Sequence, residues 1–212
     1  YKENRTAYID LIINEMLPQI TKENLADYID VFCEQGFFTQ QETERICKAG
    51  IEYGLKAKIH ANQLNISGGV QAGSNTNAIS VDHLETIGDE EIQLLSQTNS
   101  PITTLLPSCS FFLNMQYAPA RKLIENNAAI ALASDFNPGS SPSGNMNFVV
   151  ALACIQLKML PEEAINASTI NGAFAMEVQN EVGSITKGKR ANLIFTHSIS
   201  SLSLLPYSFG TN

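Results

Sequence analysis

Parallel strands joined through helices, forming part of a (β/α)8 barrel, are what this sequence predicts, on three observations. Strand-like and helix-like segments alternate from Tyr28 to Phe136. The stretch Ala129–Ser141, AIALASDFNPGSS, opens with a continuous apolar run, which reads as a strand covered on both faces. Three of the strands close on polar residues: His60, His83 and Asp135. Strands linked through helices pair in parallel with right-handed crossovers, which leaves a doubly wound sheet or a barrel. The strand ends favour the barrel, where every C-terminal end opens on one mouth and those three side chains would converge.

Each element has its own reason. Arg5–Leu17 carries apolar residues at helical spacing, and Pro18 is expected to close it. Tyr28–Cys33 has the β-branched and aromatic centre of a strand. Thr39, with Glu42 three residues on, opens a helix to Tyr53 through a reciprocal cap. Leu55–His60 and Ala78–His83 are short strands, each ending on histidine, separated by a short connection holding Gly68 and Gly69. Asp89–Ser96 reads as an amphipathic helix, Ile102–Leu106 as a strand stopped by Pro107, and Ala118–Asn127 as a helix with Pro119 in its first turn. After the strand ending at Asp135, helices are expected over Asn147–Met159, Pro161–Ala167 and Thr169–Met176. Gly183–His197 changes character, to a hairpin-like strand pair around Lys187–Arg190.

Composition narrows the function. The 212 residues are 44% hydrophobic, which suits a folded core. Acidic residues outnumber basic ones, 21 to 13, for a net charge of −8 with no basic run. That argues against nucleic acid or an anionic membrane as partner, since both need positive surface. No apolar run reaches the roughly 20 residues of a membrane span. Cys33, Cys47, Cys109 and Cys154 form no CxxC pair and read as four buried thiols in a reducing, cytoplasmic setting. The chain begins without Met, in what reads as a loop, so a piece of something longer is expected.

Two imidazoles and a carboxylate at the ends of three parallel strands are the donor types that a divalent metal of borderline softness selects. Singly, each residue reads more readily as a hydrogen-bonded strand end than as a ligand. Two of the three histidines in the chain occupy equivalent positions, which strengthens the set; His197 reads as non-functional.

The segments KIHANQL (Lys58–Leu64), SVDHLE (Ser80–Glu85), LLPSCSFFLN (Leu105–Asn114), PARKLIENNAAIALASDFNPGSSP (Pro119–Pro142) and TINGAFAM followed by GSITKGKRANLIF closely resemble the imidazolonepropionase family of the metal-dependent amidohydrolase superfamily. The resemblance covers nearly the whole chain. It implies strands 4–8 of the barrel over residues 1–180, and a C-terminal β segment of a small β-sandwich domain over residues 181–212. It further implies hydrolytic opening of 4-imidazolone-5-propanoate to N-formimidoyl-L-glutamate, with one Zn or Fe ion. By position, His60 and Asp135 match metal ligands, and Asp135 doubles as the base. His83 matches the histidine facing substrate and the attacking water. Gln63, Asn137, Gly139 and Ser140 match substrate-contacting positions. A cytoplasmic homodimer is expected of the full-length protein, acting on a small molecule.

The family's first-strand His-x-His pair and its upstream substrate-binding Arg, Tyr and His have no counterpart in these residues. Two alternatives therefore stand beside the first reading. One is a related deaminase or deiminase, which Gln63 opposes because those enzymes depend on glutamate there. The other is a truncated, non-catalytic fragment whose open strand edges would lead it to aggregate or pair.

Overall fold

The computed structural model describes residues 3–210 and divides into two compact units between Pro101 and Ile102. Helix α1 (Arg5–Leu11) opens the first unit, capped by Asn4, whose side chain accepts the Ala7 N–H. Pro18 does not close this helical stretch. The chain runs through a π-helical segment, Ile12–Met16, into α2 (Leu17–Glu23), with Pro18 at its second position. A proline interior to a helix lacks a donor and crowds the carbonyl a turn earlier, and a widened turn just before it accommodates both. Asn24, in the left-handed conformation, ends α2 instead.

Strand β1 (Tyr28–Cys33) leads to α3 (Gln40–Glu52), which carries the expected reciprocal cap between Thr39 and Glu42. Strand β2 (Lys56–Ala61), helix α4 (Gly69–Asn75), strand β3 (Ser80–His83) and helix α5 (Asp89–Leu95) follow. All pairing is parallel, with Phe32 opposite His60 and His60 opposite Asp82. Alternation along the strands separates two faces. Ile29, Val31, Cys33, Ala57, Ile59, Ala61 and Val81 are buried, with α3 and α4 packed against their strands. Asp30, Lys58, His60 and Asp82 take the alternate positions.

Helix α4 stands where only a short connection is expected. Its GVQAGSN sequence has poor helix propensity, and tertiary packing overrides it. A Cβ on Gly69 would lie 2.7 Å from the Ala61 Cβ, and one on Gly73 would lie 2.5 Å from a Val81 methyl. The glycines thus let α4 lie directly on β2 and β3.

The second unit comprises β4 (Ile102–Leu105), α6 (Pro107–Phe112), α7 (Ala120–Glu125), β5 (Ile130–Leu132), α8 (Met146–Ile155), α9 (Pro161–Ser168), α10 (Ile170–Ala175) and α11 (Leu204–Tyr207). β4 and β5 pair in parallel, Thr103 opposite Ile130. Pro107, read as a strand stop, also opens a helix, because a first-turn proline sacrifices no helical hydrogen bond. β5 is shorter than expected and stops at Leu132, so Asp135 lies in the following loop.

The expected strand pair in Gly183–His197 is not formed, and no strand occurs in residues 181–210. A turn folds Arg190 back on Glu181 instead, through the Arg190 N–H to the Glu181 carbonyl at 2.8 Å and an ion pair at 2.6 Å. The apolar residues that a hairpin would pack are left out in solvent, with Ile185 91% and Phe195 88% exposed. An isolated two-stranded ribbon with nothing against its apolar face is marginal. Residues 1, 2, 211 and 212, which the two expected domains include, lie outside the described residues.

Alternating strands and helices, with parallel pairing within each unit, make this an α/β chain of the kind that forms part of a (β/α)8 barrel. Among the described residues no helix is long and apolar enough to cross a membrane. Cys33, Cys47 and Cys109 are buried as expected and Cys154 is half-buried; none forms a disulfide. Burial pushes the Cys47 thiol up to about 12, which makes it chemically inert.

Candidate functional site

In the first unit, the ends of β2 and β3 bring His60 and His83 together, their rings 5.3 Å apart and inclined at 44°. His60 is the penultimate residue of β2, and its Nδ1 lies 3.0 Å from a carboxylate oxygen of Asp30 on β1. Phe32 presents an aromatic ring at 6.1 Å, edge to face. His83 is 2% exposed, and its Nδ1 faces Glu85 at 3.5 Å.

His83 and Leu84 both sit in the left-handed region, at φ 84° and 67°. For side chains of this bulk each costs on the order of 1–3 kcal/mol, sustained only where the surroundings fix the turn. The surroundings do so here: the Leu84 N–H donates to the Ala61 carbonyl at 3.1 Å and the Thr86 N–H to the Asn62 carbonyl at 2.9 Å, while Leu84 is fully buried. By strict alternation His83 would share the face of Val81. The strained turn is what sets its ring against His60.

Gln63 lies half-buried in the turn after β2, where the chain is pinned from β1. Buried Glu34 accepts the Leu64 N–H at 2.9 Å with one oxygen and the Gln35 N–H at 2.9 Å with the other. Ser67 donates its hydroxyl to the Cys33 carbonyl at 2.6 Å. Asp82, opposite His60, accepts from the Ser80 hydroxyl at 2.8 Å, and the Lys58 ammonium donates to that hydroxyl at 3.0 Å. Burial holds the Asp82 carboxyl above the ordinary carboxylate range.

In the second unit, Asp135 and the Asn-Pro-Gly-Ser turn form a closed cluster. Asp135 has φ 52°, a value that aspartate tolerates better than most residues. Its Oδ2 accepts the Ser140 hydroxyl at 2.6 Å, and its Oδ1 accepts the Asn137 side-chain amide at 3.1 Å. The Asn137 Oδ1 in turn accepts the N–H groups of Gly139 at 2.8 Å and Ser140 at 3.1 Å. The loop therefore satisfies itself. Its entry is held by the Ser108 hydroxyl, which donates to the Ser134 carbonyl at 2.7 Å.

The expected residues thus fall into two groups: His60, His83 and Gln63 at the strand ends of the first unit, and Asp135, Asn137, Gly139 and Ser140 in one loop of the second. Asp30 and Glu34 escaped the sequence reading. A charged residue in the middle of YIDVFC, on a strand otherwise fit for burial, was the available signal for Asp30.

The pairing of His60 with Asp30 leaves one imidazole nitrogen for a metal. A carboxylate on Nδ1 favours the tautomer with the proton there, so that Nε2 carries the lone pair a metal needs. Nitrogen from histidine is a ligand type of zinc and iron sites.

Fold and residues together define the class. The sequence model of the amidohydrolase family matches residues 2–209, and the chain belongs to that family. Within it, the chain is similar to proteins named imidazolonepropionase: 59% identical to that of Flavobacterium johnsoniae and 57% to that of Christiangramia forsetii. Both alignments run over 212 residues, 100% of this chain and 51% of the relative, so the chain spans about half the length of the curated relatives it matches. Its fold resembles that of a zinc-bound adenosine deaminase from Xanthomonas campestris, with a TM-score of 0.71 at 16% identity, over 91% of this chain and 51% of that one. The amidohydrolase superfamily is generally metal-dependent.

Proposed function

We propose that the protein to which these residues belong hydrolyses 4-imidazolone-5-propanoate to N-formimidoyl-L-glutamate, with one zinc or iron ion. The observation that carries this is the set of relatives named imidazolonepropionase, aligned with every residue of this chain. In this reading His60 and Asp135 are protein ligands of the ion, with further ligands supplied from outside these residues. When bound, the ion supplies hydroxide at neutral pH by lowering the pKa of water to about 7.

The chain's own residues do the rest. Asp135 takes the proton of the attacking water and delivers it to the departing ring nitrogen, while Ser140 and Asn137 hold its carboxylate in place. His83, held in its strained turn, steadies the negative charge that develops on the substrate oxygen. Gln63 cannot move a proton and hydrogen-bonds the ring edge. That distinguishes the reading from deamination. The Gly139 and Ser140 N–H groups, now given to Asn137, turn to the carboxylate of substrate or product when it arrives. Residues 181–212 belong with a small β domain, and the complete protein is a cytoplasmic homodimer.

The test supplies the chain with the amino-terminal half of the Flavobacterium johnsoniae relative and follows loss of imidazolone absorbance. Turnover is expected from the complemented chain and none from its Asp135→Asn variant. Unchanged turnover in that variant would remove the reading, and ammonia release from an amidine or aminopyrimidine would replace it with a deaminase. A chain that gains neither activity is a non-catalytic fragment.

A further inference from the structure

We infer that Asp30 is a positioning residue for His60, fixing its tautomer and ring orientation so that Nε2 is the nitrogen offered to a metal. This rests on the reading of His60 as a ligand. Register places Phe32 opposite His60, so Asp30 lies on the same face two residues earlier on the neighbouring strand. From there its carboxylate reaches Nδ1 at 3.0 Å, across thirty residues of sequence. Neighbouring groups leave this arrangement intact. Asp82, directly opposite His60, accepts from Ser80, and Lys58 donates to Ser80 and lies over the Tyr28 ring at 5.2 Å. Phe32 and His83 offer the imidazole ring faces and edges. A carboxylate on the far nitrogen of a ligating histidine both orients the ring and raises its basicity, and losing such a partner typically weakens metal affinity by roughly 10–100-fold.

The experiment has two readouts. The first is the nitrogen NMR signature of His60, one of only three histidines, in the metal-free protein. The parent is expected to show the Nδ1-protonated tautomer, Asp30→Ala a mixture, and Asp30→Asn, which retains an acceptor oxygen and the side-chain shape, a smaller change. The second is the Zn2+ affinity of the chain complemented with the amino-terminal half of the Flavobacterium johnsoniae relative, by competition with a chromophoric chelator, with His60→Ala in parallel. Asp30→Ala should lose roughly 10–100-fold, Asp30→Asn less. A parent His60 protonated on Nε2, or Asp30 variants that bind zinc like the parent while His60→Ala binds it poorly, would overturn the inference and leave His60 a ligand. His60→Ala binding zinc like the parent would instead overturn the ligand reading, and the inference with it.

Discussion

His60 takes its place from Asp30, thirty residues earlier on another strand, whereas Asp135 takes its place from Asn137 and Ser140, two and five residues further on. The first arrangement exists only when β1, β2 and β3 are paired in register and the strained turn at His83 is clamped by the ends of its neighbours. The second is a property of a short peptide. The two should therefore fail differently: substitutions that disturb packing in the first unit should spoil the histidine pair together with the fold, while the aspartate cluster should come apart by local change at little cost in stability.

The sharpest way to break the comparison is Gly69→Val. A Cβ there would lie 2.7 Å from the Ala61 Cβ and 2.9 Å from the Ala61 Cα, the residue next to His60. Backbone this close cannot yield like a flexible side chain, so α4 must lift from β2. Overpacking of a tight core typically costs 1–3 kcal/mol and occasionally more. Denaturant unfolding should show a loss at the upper end of about 1–3 kcal/mol, with the His60 and His83 ring resonances shifting together. Full stability with displaced ring signals would mean that packing does not hold the pair.

Next in size is Glu34→Ala. The carboxylate is 2% exposed and accepts the N–H groups of Gln35 and Leu64, and its loss strands two partly buried donors. An unsatisfied buried group costs about 1–3 kcal/mol. Glu34→Gln, which keeps one acceptor oxygen, should recover part of this. Hydrogen exchange at Leu64 is the discriminating measurement: if it stays as slow in the alanine variant as in the parent, the loop carrying Gln63 is held by something else.

These two positions also mark where the sequence stopped being legible. The strand over Tyr28–Cys33, the capped helix after Thr39 and the turn after Asp135 were all readable, because the residues that form each are neighbours in the chain. Helix α4 was not, since its two glycines speak against a helix until the strands beneath them are seen to require close approach. The passage of the helical chain through Pro18 depended on a π-helical turn that no local preference announces. Among the candidate residues, the types at 60, 63, 83 and 135 were visible, whereas the residues holding His60 and the turn of Gln63, Asp30 and Glu34, needed the strands to be paired. The tail failed in the opposite sense. Its turn residues were read rightly, but a strand pair needs a surface to lie on, and Ile185, Ile194 and Phe195 meet solvent.

A smaller effect is expected from Asn137→Ala, which sharpens the comparison from the other side. It removes the acceptor for Gly139 and Ser140 and the donor to Asp135, all in an exposed turn where water can replace each partner. Stability should fall by only about 1 kcal/mol, in the range of a single net hydrogen bond. The ordering of the loop should suffer far more, visible as faster amide exchange at Gly139 and Ser140 with no change at Leu64. A global loss as large as that of Glu34→Ala would show that the cluster is not self-contained.

The smallest effect concerns the ion pair linking α7 to α9 in the same unit as the aspartate loop. Arg121 reaches both oxygens of Glu163 at 2.9 Å, and this hydrogen bonding holds the Glu163 carboxyl below its ordinary value of 4.5. A carboxyl whose pKa is depressed by folding adds stability above its unfolded value, and that addition is lost as pH falls through its folded value. Parent and Arg121→Met should therefore differ in Tm at neutral pH and converge as the pH is lowered from about 4.5. Both partners are partly open to water, so screening keeps the difference small, and added salt should shrink it further. Exchange in the loop from Asn137 to Ser140 should not follow this titration, because its hydrogen bonds close within the loop. A loop that loosened in step with Glu163 would tie the aspartate to the helices behind it, and the contrast with the histidine pair would be one of degree.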